Sequence, residues 1–338
     1  MTISNNGQFS HRNCFDIVRH FAAFLVLFSH HFALSGMKEP SFLGMHSFGG
    51  LAVVIFFSIS GYLVTKSFVR SQNFFDYLEK RARRIFPGLI ACSAVTVFVV
   101  IPFYVDLGYF DYLLEERTWR TFLSASMLLG VRYAGVFSEF TFAGTINGSL
   151  WTLPIEFLCY LIVGVSLVFA RSVKAPLALL VISFIGLLVV KENSISYTFY
   201  AISLERLLLF LLVFSLGGVL AFTESIWTGR NSRLCLLAVS VMVLYILRGR
   251  PELVVLGNMA ICVVVVVFCT GFSEKIIAGK YDFSYGIYIY AFPVQQIVIN
   301  SFSFGLYLEM LLSALGTLLL AVVSWFLVEK PMLKRSRS

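Results

Sequence analysis

Charged residues are scarce in this chain: Asp, Glu, Lys and Arg make up only 13% of its 338 residues. A typical soluble domain is about 25% charged and about 45–50% apolar. Here apolar residues make up 59% of the sequence, and the mean hydropathy is +0.87. No water-soluble globule of this length has enough interior to bury that much apolar surface. The composition therefore excludes a soluble enzyme, a nucleic-acid-binding domain and a disordered chain, and it predicts a protein that crosses a membrane many times.

Regularly spaced cysteines are also lacking. The six cysteines lie within or beside apolar runs without regular spacing. We interpret them as small core residues and expect neither disulfides nor a metal site. About fifteen polar residues precede the first apolar run, and no small-residue cleavage site follows it, so no signal peptide is expected. No repeat or appended soluble domain is visible.

Ten apolar runs are candidate membrane-spanning helices, since a helical span needs about 20 apolar residues. We therefore predict an all-α polytopic membrane protein with about ten transmembrane helices, forming a single domain over residues 1–338. A shorter run at 121–131 cannot span, and we interpret it as a re-entrant or interfacial piece of a long loop at 106–147. The predicted spans lie near residues 16–35, 48–66, 87–105, 149–170, 175–190, 199–222, 233–247, 253–270, 282–301 and 306–328.

The distribution of Lys and Arg predicts the orientation of the chain. If the amino terminus is placed in the cytoplasm, more than twice as many Lys and Arg residues fall in cytoplasmic segments as in external ones. Cytoplasmic loops of membrane proteins are enriched in these residues. We therefore expect both termini to be cytoplasmic and loop 106–147 to be extracytoplasmic. The net charge of +8 then reflects topology rather than binding to nucleic acid.

Ionisable side chains inside a span are costly, so each is a candidate functional residue. A helical rise of about 1.5 Å per residue places His30, Glu156 and Arg206 at a similar depth, roughly 8–10 Å from the outer ends of three different spans. This shared depth predicts a polar site in the outer half of the bilayer, with a base, a carboxylate and a cation. The remaining candidates are Asp16, Arg19, His31 and Glu205.

These residues also have structural interpretations that the sequence leaves open. His30 and His31 could be interfacial histidines near a helix end. Glu156 and Arg206 could form a buried ion pair, which is weak support for a function by itself. The basic cluster at 81–84 could act only as a topology determinant.

Six short motifs follow one another across nearly the whole chain. Arg19 and His30 are separated by ten residues in the first span. The other five are 56–63 (FFSISGYL), 81–87 (RARRIFP), 151–156 (WTLPIE), 284–288 (SYGIY) and 329–331 (EKP). Each is weak alone, but in this order and on these predicted helices they resemble the signatures of the membrane acyltransferase 3 family. The sequence departs from the family pattern at Ala291, where many members have His, and no hydrolase-like domain follows the last span.

The resemblance implies an integral membrane O-acyltransferase. Such proteins move an acyl group, most often acetyl, from acyl-CoA to a hydroxyl of a carbohydrate such as a surface polysaccharide or a lipid-linked glycan. Acetyl-CoA is then a substrate, and no cofactor is expected to stay bound. The expected location is the bacterial inner membrane. The expected partners are the glycan, acyl-CoA and the lipid bilayer.

The resemblance also suggests roles for individual residues. We expect His30 to be the general base that takes the proton of the acceptor hydroxyl, with Glu156 orienting it or stabilising its imidazolium. An acyl-His30 intermediate is the alternative. Arg81 and Arg84 are expected to clamp the phosphates of coenzyme A, and Arg19 to contact the pantetheine–phosphate region.

Four further residues are assigned either to substrate or oxyanion binding or to a structural role: Ser60, Tyr62, Trp151 and Arg206.

The competing function is a secondary transporter or flippase, because charges inside the membrane and broken helices fit that class too. The absence of a visible inverted repeat and the order of the motifs favour acyl transfer. A structural scaffold would leave the buried histidine and glutamate without a purpose.

Overall fold

The computed structural model describes residues 13–274, 276–277 and 279–334. It is 75% helical with almost no sheet, which confirms the all-α polytopic membrane fold. In chain order its α-helices are α1 (Phe15–Leu34), α2 (Phe48–Arg70), α3 (Phe74–Ala94), α4 (Tyr109–Leu114), α5 (Glu116–Ser126), α6 (Thr152–Phe169), α7 (Lys174–Glu192), α8 (Leu204–Phe222), α9 (Glu224–Trp227), α10 (Arg230–Ile246), α11 (Val254–Gly271), α12 (Ser284–Ser301), α13 (Leu306–Ser324) and α14 (Lys330–Lys334).

Ten of these helices correspond to the predicted spans. Among the described residues, eight helical segments have the length and mean hydropathy that a membrane span needs. The other two, α10 and α12, fall short by these measures. Helix α10 has only 17 residues, and α12 is less apolar because it carries polar side chains such as Gln295 and Gln296 into the protein interior, where both are fully buried. Since α12 packs against α1 and α13, it is a central helix of the bundle.

The third span begins well before the predicted residue 87. The Asn73 side chain caps α3 by accepting a hydrogen bond from the Asp76 N–H at 2.9 Å, which satisfies one of the unpaired donors of the first turn. The helix tolerates Pro87 in its interior and continues as a π-helix over Val95–Val100 and a 3-10 helix over Ile101–Tyr104. The basic cluster at 81–84 therefore lies on a helix rather than in a loop.

One end of the bundle gathers the first and last described helices. The Cys14 N–H donates to the Cys269 carbonyl at 3.0 Å, and Arg83 donates to the Met332 carbonyl at 3.3 Å. Arg171 donates to the carbonyl of Ser71 at the same end. We call this the basic end, because it carries the basic residues of α3. Both ends of the described chain lie here, as an even number of spans requires.

The opposite end, which we call the hairpin end, carries two short hairpins and the segment 105–147. Strands β1 (Ser41–Phe42) and β2 (His46–Ser47) form one hairpin, and β3 (Thr198–Phe199) and β4 (Ile202–Ser203) form the other. Helix α5 has 11 residues, too few to span a bilayer, and it packs against α3. Its placement as a re-entrant or interfacial segment stays a prediction.

Helices α2 and α8 approach each other closely because two glycines lie at their contact. A Cβ on Gly61 would lie 2.1 Å from the Phe214 carbonyl oxygen, and one on Gly217 would lie 2.7 Å from that of Ser58. Small residues allow helix backbones in membranes to approach to this distance. The contact fixes the position of the helix that carries Ser60 relative to the helix that carries Arg206.

Candidate active site

A chamber with about 760 Å³ of empty space lies toward the basic end, among α1, α2, α3, α6 and α12. It brings together five of the predicted site residues: Arg19, Ser60, Arg81, Arg84 and Glu156. Aromatic and aliphatic side chains of α2, α3 and α12 form the rest of the wall. We call it the guanidinium chamber, since three of its four charged lining residues are arginines.

Two of these guanidinium groups are held by an aspartate that the sequence analysis missed. Oδ2 of Asp282, just before α12, lies 2.9 Å from Arg19 Nη1 and 2.9 Å from Arg84 Nη2. The Ser284 hydroxyl donates to Oδ1 of the same carboxylate at 2.6 Å. Burial alone would raise the pKa of Asp282, but the positive charges of Arg19 and Arg84 outweigh it and hold this pKa well below its ordinary value. Asp282 therefore stays ionised and keeps both guanidiniums facing the chamber.

Arg81 is the least neutralised of the three arginines. Its Nη2 donates to the Ser67 hydroxyl at 3.3 Å, and its buried Nε has no hydrogen-bond partner among the described residues. It forms no ion pair within the described part of the chain. Arg81 is half-buried, and a buried donor without a partner is costly, so an anion in the chamber would find an unsatisfied donor here.

Glu156 has partners other than the predicted one. Its Oε1 accepts hydrogen bonds from the Ser60 hydroxyl at 2.8 Å and from the Tyr160 hydroxyl at 2.5 Å. It lines the guanidinium chamber, whereas His30 does not. The structure therefore does not bring Glu156 into the same chamber as His30, because a similar depth on two helices does not mean that the side chains point toward each other.

His30 lines a second chamber, toward the hairpin end, with about 870 Å³ of empty space. We call it the histidine chamber. Its polar lining includes the predicted Arg206 and Trp151 and three residues that the sequence analysis missed, Glu39, His46 and Asn258.

The neighbouring His31 has a structural position outside both chambers. It is fully buried and receives a hydrogen bond from the Gln295 side chain at 3.2 Å. His30, in contrast, has a buried Nδ1 with no partner among the described residues, and its ring meets the Phe292 ring edge-on with centroids 5.4 Å apart. The structure thus distinguishes two adjacent histidines that the sequence alone could not separate.

Glu39 is the carboxylate that lines the histidine chamber. It accepts a short hydrogen bond from the hydroxyl of Ser29, the residue before His30. Gly49 leaves room for this arrangement, because a Cβ there would lie 3.3 Å from the Ser29 side chain. The search for ionisable residues inside spans could not find Glu39, because this residue follows the end of α1. The only indication in the sequence was its position shortly after His30 and His31.

Arg206 and Trp151 meet in the histidine chamber. The Arg206 guanidinium lies over the Trp151 ring, 4.7 Å from its centroid, a cation–π contact. Within the described residues Arg206 has no carboxylate partner, so the alternative of a Glu156–Arg206 ion pair is wrong. Tyr62 lies outside both chambers, where Lys66 donates to its hydroxyl at 3.0 Å.

The two chambers adjoin each other, because Val53 and Tyr288 line both. The Tyr288 hydroxyl donates to the Ser149 carbonyl at 2.6 Å and lies 2.6 Å from the Thr152 hydroxyl. These bonds attach α12 to the start of α6 at the boundary. Ala291, where many acyltransferase 3 members have His, is fully buried and lines neither chamber.

The fold is a bundle of membrane-spanning helices that encloses a guanidinium-lined chamber beside a chamber lined by a histidine. Residues 12–329 match the acyltransferase domain of the acyltransferase 3 family. The chain belongs to this family and is a multi-pass membrane acyltransferase.

Two curated relatives are similar over nearly their full length. The chain is 41% identical to an O-acetyl transferase of Shigella phage Sf6, covering 96% of this chain and 97% of the relative. It is 28% identical to nodulation protein 10 of Rhizobium leguminosarum bv. viciae, covering 98% and 96%. No solved structure matches the chain significantly.

Proposed function

We propose that this protein transfers an acetyl group from acetyl-CoA to a hydroxyl of a carbohydrate at the outer side of a bacterial inner membrane. The observation that carries the proposal is the pair of adjoining chambers, one rich in guanidinium groups and the other containing His30. The name of the phage relative supports acetyl as the acyl group. The excess of Lys and Arg at the basic end supports placing that end in the cytoplasm, where acetyl-CoA is available.

The proposed chemistry assigns the donor to the guanidinium chamber. Arg19, Arg81 and Arg84 bind the phosphates of coenzyme A through charge-assisted hydrogen bonds. The thioester extends past Val53 and Tyr288 toward the histidine chamber. Because Asp282 already holds two of the arginines, little side-chain entropy is lost when the donor binds.

The proposed base is His30. It takes the proton of the acceptor hydroxyl as the hydroxyl oxygen attacks the thioester carbonyl; a C–O bond forms, the C–S bond breaks, and the proton passes to the coenzyme A sulfur. Glu39, rather than Glu156, stabilises the imidazolium; this role is supported by the fact that Glu39 and His30 line the same chamber. An acetyl-His30 intermediate remains the alternative route, and it would also return the sulfur as a thiol.

The primary test is mass spectrometry of the surface and lipid-linked glycans of the host. Strains that lack the gene would be complemented with wild type, His30→Ala or His31→Gln at equal membrane abundance. We expect the mass increment of one acetyl group with wild type and His31→Gln, and none with His30→Ala. His31 is the matched control because it lines neither chamber. An acetylated glycan in the His30→Ala strain would refute the mechanism, and unchanged glycans in every strain would refute the function.

The donor site has a separate test, the affinity of the purified protein for acetyl-CoA. Losing one charge-assisted hydrogen bond to a phosphate is worth about 1.5–3 kcal/mol, so Arg81→Gln should raise the Kd roughly 10–100-fold. The control is Arg120→Gln, since the Arg120 side chain is 75% exposed at the hairpin end and forms an ion pair with Glu116. An unchanged Kd in Arg81→Gln would remove Arg81 from the donor site.

A further inference from the structure

The histidine chamber contains a buried amide whose hydrogen bonding is incomplete. Asn258, in the first turns of α11, is fully buried and lines the chamber. Its Oδ1 lies 2.6 Å from His46 Nε2, so the ring N–H donates to the amide oxygen. Its Nδ2 has no hydrogen-bond partner among the described residues.

A buried amide nitrogen without a hydrogen-bond partner is unusual. Most buried side-chain polar atoms have at least one partner, and leaving one unpaired costs free energy. His46 holds the Asn258 side chain in one orientation, and burial lowers the pKa of His46, which keeps the ring neutral. The pair is therefore rigid and leaves one group for a ligand.

The rest of the lining indicates what kind of ligand fits. Glu39 supplies a hydrogen-bond acceptor and Arg206 supplies donors. The Trp151 side chain, 37% exposed, adds an aromatic surface beside them. A sugar ring presents hydroxyl groups around its edge, each both donor and acceptor, and C–H groups on its faces. Mixed donors and acceptors beside an aromatic ring complement such a molecule, whereas three arginines with a single lining carboxylate complement phosphates.

Two buried side-chain atoms of the chamber, Nδ1 of His30 and Nδ2 of Asn258, have no hydrogen-bond partner within the described part of the chain. They come from helices far apart in the sequence and line the same space. A simple alcohol has only one oxygen and could satisfy only one of the two residues. An acceptor with several oxygens, such as a pyranose, can engage both at once.

We propose that the histidine chamber is the acceptor subsite and that Asn258, oriented by His46, donates a hydrogen bond to a second oxygen of the sugar whose hydroxyl His30 deprotonates. This contact selects which hydroxyl is acylated. The inference rests on the proposed function and adds to it a residue that determines specificity.

The experiment uses membranes that contain the full-length protein, radiolabelled acetyl-CoA as the donor, and total glycan extracted from the gene-deletion host as the acceptor probe. The variants are Asn258→Asp, which keeps the side-chain volume, and Asn258→Leu, which keeps the branching at Cγ; neither has an amide that can donate. The control is Ser215→Ala, which alters a buried hydroxyl of α8 that has no partner among the described residues and lines neither chamber. Thermal melting confirms that each variant is folded.

We expect both Asn258 variants to raise the KM for glycan about 10–100-fold and to spread the acetyl group over more than one position of the sugar. Their affinity for acetyl-CoA should stay within about twofold of wild type, and Ser215→Ala should match wild type throughout. Unchanged glycan KM and position in Asn258→Leu would overturn the inference and leave the proposed function standing. A parallel loss of acetyl-CoA affinity would also overturn it. If wild type acetylates no glycan, the proposed function itself fails.

Discussion

Replacing Gly61 with alanine tests whether the contact between α2 and α8 positions the site. The new Cβ would lie 2.1 Å from the Phe214 carbonyl oxygen and 2.8 Å from its Cα. Both atoms belong to the backbone of α8, so no side-chain rotation can relieve the overlap. To restore ordinary contact at about 3.4 Å, the two helices would have to separate by more than 1 Å.

The cost of this separation is large for a single methyl group. Overpacking a tightly packed contact typically costs about 1–3 kcal/mol, and we expect the upper part of that range because both helices are rigid here. Gly217 faces the same contact, with Ser58 O and Tyr62 N at 2.7 and 2.8 Å from its ideal Cβ position. The movement would also shift Ser60 and break its 2.8 Å hydrogen bond to Glu156.

The assay is thermal unfolding of the purified protein in detergent, together with acetyl transfer in membranes. Gly61→Ala should lower the Tm by about 5 °C and reduce transfer at least tenfold. The matched control is Gly316→Ala in α13, where the new Cβ would lie 3.4 Å from Val294 Cγ1, an ordinary contact. That variant should be neutral or slightly stabilised, because alanine favours a helix. A wild-type Tm and activity in Gly61→Ala would refute the reasoning.

Two further predictions concern the carboxylates. Glu39→Gln should reduce kcat about 10–100-fold. The acidic limb of its pH–rate profile should move to lower pH, because the imidazolium loses a stabilising charge. Glu116→Gln on the exposed side of α5 is the control, and an acidic limb that does not move would exclude Glu39 from this role. The pKa of Asp282 is lower in the folded than in the unfolded protein. Its ion pairs therefore stabilise the fold above about pH 4, and this stabilisation is lost as the pH falls through the lowered pKa. The Tm of wild type should therefore decline below about pH 4, whereas Asp282→Asn should have a lower Tm at neutral pH and a flatter decline; equal declines would contradict the assignment.

The sequence by itself determined the class of protein and several residues of the guanidinium chamber. Its low charge and its long apolar runs require membrane-spanning helices, because no other arrangement buries that surface and satisfies the backbone. The ten predicted spans coincide with ten helices. Arg19 is a candidate because charges in a span are costly, whereas Arg81 and Arg84 are candidates because of the family resemblance. The structure places all three around one chamber. The family resemblance was confirmed by the match over residues 12–329.

The tertiary structure decided how the polar side chains pair. The sequence indicates the depth of a residue along its helix but not the direction in which its side chain points. For this reason the predicted pair of Glu156 with His30 is wrong, and Glu156 instead accepts hydrogen bonds from Ser60 and Tyr160. Arg19 pairs with an aspartate 263 residues away, and His46 bonds an asparagine 212 residues away. Such pairs depend on which helices are neighbours and on their rotation. Close packing at contacts such as that between α2 and α8 determines which helices are neighbours and how each helix is rotated. Composition and periodicity in a single sequence do not indicate either of these.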